Sequence, residues 1–261
     1  MLHYPEIDPI AIQLGPLAIR WYGLMYLFGL LMAWYLAKRR ASRYGWQVQQ
    51  LSDLMFYGFL GVVLGGRLGF VLFYDLAQWL QDPWLVFRIN QGGMSFHGGF
   101  LGVLMAVALY CRHLGKSFWA TMDYIAPIVP LGLATGRLGN FINGELVGRP
   151  TELPWGMVFA HVDSLPRHPS QLYEMALEGV VLFLLLWWFS RRSRPLMATS
   201  GLFALGYGTL RFLVEFARQP DSFGFVAWGW LTQGQLLCIP MIIGGAGLLF
   251  WAYRHSTQRI G

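Results

Sequence analysis

Charge is scarce in this sequence. Acidic and basic side chains make up 12% of the 261 residues, against 56% hydrophobic ones, and mean hydropathy is +0.45. A soluble globular domain carries about twice that share of charge, so a water-soluble core is the first thing excluded. Cysteine is nearly missing too. Cys111 and Cys238 are the two present, they have no metal-ligand spacing and form no disulfide framework, and they read as small buried hydrophobes. The chain has no Gly-x-Ser-x-Gly elbow, no His-Glu-x-x-His run and no nucleotide loop, which removes several common hydrolase, metallopeptidase and nucleotide chemistries. No internal repeat or low-complexity tract occurs, so the two related halves typical of many transporters are not evident. Residues 1–16 lack a basic start, and the first apolar run is long with basic residues after it. It is expected to be a retained anchor, not a cleaved signal.

Long apolar runs are what the chain has instead. A membrane span needs about 20 mostly apolar residues, and seven stretches qualify, at roughly 17–37, 54–74, 95–112, 119–141, 172–190, 199–217 and 234–253. The expected fold class is therefore all-α, one polytopic transmembrane domain. The 32 glycines and 12 tryptophans fit it, since small residues pack membrane helices and tryptophan favours the interfaces. The net charge of +6 does not point to nucleic acid, because its placement follows the spans. Lys38, Arg39, Arg40 and Arg43 follow the first span, Arg112 and Lys116 the third, Arg191, Arg192 and Arg194 the fifth, and Arg254 and Arg259 the seventh. With alternating spans these ends share one side, which puts the C-terminus in the cytoplasm and the N-terminus outside. Residues 1–16 and 75–93 are expected to lie along the outer surface, the latter as an interfacial helix broken at Pro83. Residues 149–170, with four prolines, are expected to form a small external cap. Pro127 and Pro130 predict a kink in the fourth span.

Against this background the polar residues within spans stand out. The stretch Gly136-Arg-Leu-Gly-Asn-Phe-Ile-Asn-Gly-Glu-Leu-Val-Gly148 closes the fourth run. A guanidinium at membrane depth is costly unless an anion meets it or it lines a wet cavity, so Arg137 asks for an anion, and Asn140 and Gly144 share its face if the helix continues. Tyr207, Arg211 and Glu215 also recur every four residues. Arg211 can pair with Glu215, or Glu215 can hold Arg218 and leave Arg211 for an anion. Arg67, between glycines, faces a neighbouring helix, with structural pairing (a carboxylate is one partner) and catalysis equally open. Tyr22 fits the interfacial aromatic belt as well as a site. His97, flanked by glycines, is either a hydrogen-bonded structural residue or a proton-transfer group. Ser170 is the expected N-cap of the fifth span, with Tyr173 and Glu174 in its first turn. The residues alone lead to a membrane protein handling an anionic, lipid-like ligand, and a transporter would carry the same features.

The motifs Arg20-Trp-Tyr-Gly-Leu-Met-Tyr, Gly65-Gly-Arg-Leu-Gly, Gly93-Met-Ser-Phe-His-Gly-Gly, Gly136-Arg-Leu-Gly-Asn-Phe-Ile-Asn-Gly-Glu, Arg167-His-Pro-Ser-Gln-Leu-Tyr-Glu and Tyr207-Gly-Thr-Leu-Arg cover nearly the whole chain. In content and order they resemble the bacterial prolipoprotein diacylglyceryl transferases. That resemblance implies an enzyme of the bacterial inner membrane with seven spans and an external N-terminus. It implies transfer of the diacylglyceryl group of phosphatidylglycerol to the lipobox cysteine of a prolipoprotein signal peptide, with release of glycerol 1-phosphate. No metal or organic cofactor is implied. His97, Arg137 and Arg211 match catalytic positions, His97 as the candidate base. Tyr22, Asn140, Glu145, Gly148 and Tyr207, together with Arg137 and Arg211, match positions expected to bind phosphatidylglycerol.

Overall fold

The computed structural model describes residues 2–88, 92–220 and 225–256. The chain falls into two compact units, Met1–Leu36 with Met122–Gly261, and Ala37–Thr121. It is mostly helical: α1 (Trp21–Ala41), α2 (Val48–Tyr74), α3 (Leu76–Gln81), α4 (Phe96–His113), α5 (Phe118–Ile125), α6 (Val129–Ile142), α7 (Ser170–Glu174), α8 (Leu182–Phe189), α9 (Ala198–Val214) and α10 (Gln233–Ser256). A π-helical stretch, Met175–Val181, joins α7 to α8. Helix occupies each of the seven apolar stretches, with shifted ends. Among the described residues three helices are long and apolar enough to cross a membrane, Val48–Tyr74, Ser170–Phe189 and Gln233–His255. The pair α5–α6 makes a fourth if counted as one span, bent by 47° at the break between Ile125 and Val129. That break is the kink anticipated from Pro127 and Pro130, the rings removing helical hydrogen bonds.

Short strands add to the all-α expectation. β1 (Leu2–His3) pairs in parallel with β4 (Met157–Val158), which pairs antiparallel with β5 (Pro166–Arg167). The N-terminal residues thus pair with the 149–170 segment, where Tyr4 stacks on Phe159 and donates from its hydroxyl to the Ile142 carbonyl at 2.7 Å. β2 (Ile10–Leu14) and β3 (Leu17–Arg20) form a hairpin that runs directly into α1. The expected first span therefore begins as strand and becomes helix only at Trp21. β6 (Phe225–Ala227) and β7 (Leu231–Thr232) form a second hairpin before α10. Strands of two to five residues have little intrinsic stability; they exist because loops pair once the helices place them together.

Within the first unit, α9 packs on α10 through glycines, a Cβ at Gly201 coming within 3.0 Å of the Gly245 carbonyl oxygen. Asp123 fixes the start of α9. Its carboxylate accepts from the Met197 N–H at 2.7 Å and from the Ser200 N–H and hydroxyl at 2.8 and 2.6 Å, satisfying amides that a helix start leaves open.

Within the second unit, α2 and α4 approach through Gly61, Gly65 and Gly69 on one side and Gly98 and Gly102 on the other. A Cβ at Gly65 would meet the Gly98 carbonyl. Such small-residue seams let helix backbones touch in lipid, where apolar burial supplies no net drive. Arg67 sits beside this seam, 3% exposed. Its partners are backbone carbonyls, not a carboxylate. Nε donates to Val86 at 3.2 Å, Nη1 to Gly92 at 2.5 Å and Gly93 at 3.0 Å, and Nη2 to Leu85 and to Arg88 at 3.1 Å. A guanidinium has five donors, and these contacts use them all. The loop they hold carries α3 and a 3-10 turn, Pro83–Phe87, as the break at Pro83 anticipated. Leu80, Trp84 and Phe87 are exposed there, as suits a segment lying on an interface.

Candidate active site

The polar centre of the first unit is assembled from four elements. α6 brings Arg137 and Asn140, the helix from Ser170 brings Glu174 and Glu178, α9 brings Tyr207 and Arg211, and the turn after α9 brings Glu215 and Arg218. Glu174, 1% exposed, is the hub. Arg137 Nε meets its Oε2 at 2.5 Å, Arg218 Nη1 its Oε1 at 3.1 Å, and Arg211 Nη1 its Oε1 at 3.8 Å. Arg211 Nη1 also meets Glu215 Oε2 at 2.6 Å, whereas Arg218 Nε stands 4.0 Å from that oxygen. The Arg211–Glu215 pairing is therefore the closer of the two alternatives. Thr232 donates to the other Glu215 oxygen at 2.8 Å. Gly234 lies against the same carboxylate, and a Cβ there would come within 2.8 Å of it.

A second layer continues from Arg137. Its Nη1 donates to Asn140 Oδ1 at 3.3 Å, and Asn140 Nδ2 donates to Glu145 Oε1 at 2.7 Å. Gln171 Nε2 donates to the Glu145 carbonyl at 2.6 Å. Tyr22 on α1 packs against α6, a Cβ at Gly139 falling 3.0 Å from its ring, and its hydroxyl lies 3.0 Å from that of Tyr26. Tyr207 stands one turn before Arg211, its ring stacked on Phe203.

Gly148 plays a packing part. Its N–H donates to the His168 carbonyl at 3.0 Å, its carbonyl accepts from Arg167 at 2.9 Å, and it bridges to Arg218. A Cβ there would lie 2.5 Å from the His168 oxygen and 2.6 Å from that of Ala217, so no other residue fits without a shift. Nearby, the Arg167 guanidinium holds Asp163 below the usual carboxylate range, and burial pushes the His168 imidazole below its ordinary value.

Of the residues singled out from sequence, Arg137, Asn140, Glu145, Tyr22, Gly148, Tyr207 and Arg211 all belong to this unit. His97 belongs to the other unit, in the first turn of α4, exposed and against Phe96. Ser95 caps that helix by accepting from the Gly98 N–H at 3.2 Å. Ser170 is not the N-cap of α7. Pro169 holds that position, and the Ser170 hydroxyl donates to the Leu146 carbonyl at 3.0 Å, so it ties the glycine-rich stretch to α7.

Four members of the cluster, Glu174, Glu178, Glu215 and Arg218, are not among the site residues expected from sequence. Sequence places Glu174 only at a helix start, and Glu215 and Arg218 only in alternative structural pairings. Glu178 was not noted, although a carboxylate one turn beyond Glu174 inside an apolar run is the signal that marks it. Glu178 is fully buried, and neither of its oxygens accepts a hydrogen bond among the described residues. Among the described residues no group of three or more His, Cys, Asp or Glu side chains is placed to hold a metal ion.

Apolar helices around a buried core of guanidinium and carboxylate groups define the class, a helical membrane protein with an ionic centre. The family follows from likeness to known proteins. The family pattern described as prolipoprotein diacylglyceryl transferase matches residues 9–251, and the chain belongs to that family. Proteins named phosphatidylglycerol–prolipoprotein diacylglyceryl transferase are similar along their whole length: 59% identical in Azotobacter vinelandii over 99% of both chains, 58% in Pseudomonas putida over 98% of both, and 57% in Pseudomonas aeruginosa over 99% of this chain and 98% of the relative.

Proposed function

We propose that this protein transfers the sn-1,2-diacylglyceryl group of phosphatidylglycerol to the lipobox cysteine thiol of a prolipoprotein signal peptide, forming a thioether and releasing glycerol 1-phosphate. It works as a single transmembrane domain of seven spans in the bacterial inner membrane, N-terminus outside, with residues 149–170 as an external cap. The observation that carries the reading is Arg137. Its Nε rests on Glu174 and its Nη1 reaches Asn140 at 3.3 Å, which leaves N–H groups to turn toward a phosphate.

The chemistry accounts for the residue types. A cysteine thiol has a reference pKa of about 8.5, so a base must help form the thiolate, and His97 takes that role. The sulfur attacks the glycerol carbon that bears the phosphate ester. The carbon–oxygen bond breaks, and its electron pair goes to the departing phosphate oxygen. Arg137 holds the phosphate and Arg211 offsets the charge that grows on it. One such positioned donor in a dry site is worth about 3–4 kcal/mol of barrier. Glu174 keeps both guanidiniums oriented between turnovers, as charge-assisted pairing does. Asn140 and Glu145 set Arg137 and face the head group, while Tyr22, Tyr207 and Gly148 complete the lipid site.

Purified protein with phosphatidylglycerol and a lipobox peptide tests this. Glycerol phosphate release is expected only with a peptide thiol, alongside a diacylglyceryl gain in peptide mass. A peptide with serine in place of cysteine should give neither. Lipid bound but unchanged in both samples would overturn the reading in favour of a transporter.

A further inference from the structure

Glu178 is the unexplained charge of the site. Glu174 and Glu215 each meet at least one guanidinium, and Glu215 also accepts from Thr232. Glu178 lies one turn along from Glu174, is 0% exposed, and among the described residues neither of its oxygens meets a hydrogen-bond donor. A carboxyl group buried without donors is costly, each unmet polar atom forfeiting about 1–3 kcal/mol. A protein retains such a group where something bound supplies the donors.

The surroundings say which donors. Glu178 lies within electrostatic reach of Arg211, Arg137, Arg218, Glu174 and Tyr207. It sits on the π-helical stretch that packs on α6 and α9, where Gly179 lets the helix meet α6 with a Cβ there only 2.8 Å from Ala134 Cα. A π turn is a rare local form, often found at functional sites, and here the stretch that bears Glu178 packs on both helices that carry Arg137 and Arg211. A cationic head group would be drawn to Glu178 but repelled by three guanidiniums. A phosphate would be drawn to the guanidiniums but repelled by Glu178. A ligand with a phosphodiester and a neutral hydroxyl a few bonds away satisfies both.

We infer that Glu178 accepts a hydrogen bond from a head-group hydroxyl of the lipid donor, and so selects a polyol phosphodiester over one whose head group lacks hydroxyls. This rests on the transferase reading above. Sites that bury a group for a substrate hydroxyl discriminate strongly against analogues without it, because that group is then left unpaired.

The test compares phosphatidylglycerol with phosphatidylethanol, which has the same phosphodiester charge and no head-group hydroxyl. The full chain is assayed in mixed micelles with a lipobox peptide. For the unaltered protein kcat/KM should favour phosphatidylglycerol at least about 10²-fold. In Glu178→Met, which removes the acceptor at similar volume, the phosphatidylglycerol value should fall toward that of phosphatidylethanol, so the ratio collapses. Glu178→Asp keeps the carboxylate one methylene short and should shrink the ratio about tenfold; it stands in if the methionine variant does not fold. A ratio that survives substitution, equal losses on both lipids, or no preference in the unaltered protein would each overturn the inference and leave the transferase reading standing. Transfer from neither lipid would bring down both.

Discussion

Two arginine sites in this protein use the same side chain in opposite ways. Arg67, in the second unit, has five donors on five backbone carbonyls. Arg137, in the first, rests on a single carboxylate and one long hydrogen bond. Neutral carbonyls that belong to the fold cannot leave, so Arg67 is locked and binds its own loop. A carboxylate can share or yield a guanidinium to another anion, so Arg137 is available. Arginine at membrane depth therefore reports function only when its donors are incompletely used, a stricter criterion than depth.

The contrast can be broken by substitution. Arg137→Ala should lower the transfer rate at least about 10²-fold and leave thermal unfolding in detergent nearly unchanged, since Glu174 retains Arg218. Full activity in that variant would remove the centre of the proposal. Arg67→Ala should act the other way. It orphans five carbonyls at about 1–3 kcal/mol each before relaxation, so stability should drop by at least about 3 kcal/mol. Arg67→Lys should not rescue it, because an ammonium cannot span that fan of acceptors. A stable but inactive Arg67→Ala protein would erase the distinction.

Smaller effects sharpen it. Gly148→Ala pushes a methyl group against two carbonyl oxygens and should cost about 1–3 kcal/mol, read as a lower unfolding temperature and loosened protease protection of the cap. His168 gives a pH signature. Burial lowers its folded value, so the unfolded chain binds the proton first as pH falls. Its contribution is present above the unfolded value of about 6.5 and is lost as pH drops below it. His168→Gln should flatten that part of the stability profile and leave the rest unchanged.

Much of this was legible from local pattern. The apolar runs became helices, Pro127 and Pro130 became a 47° break, and the four-residue spacing of Arg211 and Glu215 became an ion pair at 2.6 Å. Periodicity and proline geometry act within a few residues, so reading them needs no partner. The strand Leu2–His3 is not legible in the sequence because a two-residue strand comes from pairing across the fold, not from propensity. For Arg67 sequence leaves structural pairing and catalysis open, and the structure gives it a loop of backbone carbonyls, since neutral carbonyls leave no mark in composition.

By itself the sequence determined the membrane character, the helical stretches and which cations lie within them, because hydropathy and spacing are properties of the chain. Tertiary structure alone decided who meets whom: that Glu174 gathers Arg137 and Arg218 from 37 and 44 residues away, that Arg67 is spent, and that Glu178 meets no donor among the described residues. Partner choice depends on which helix faces converge, and convergence is set by glycine seams, kinks and a π turn summed over the whole fold.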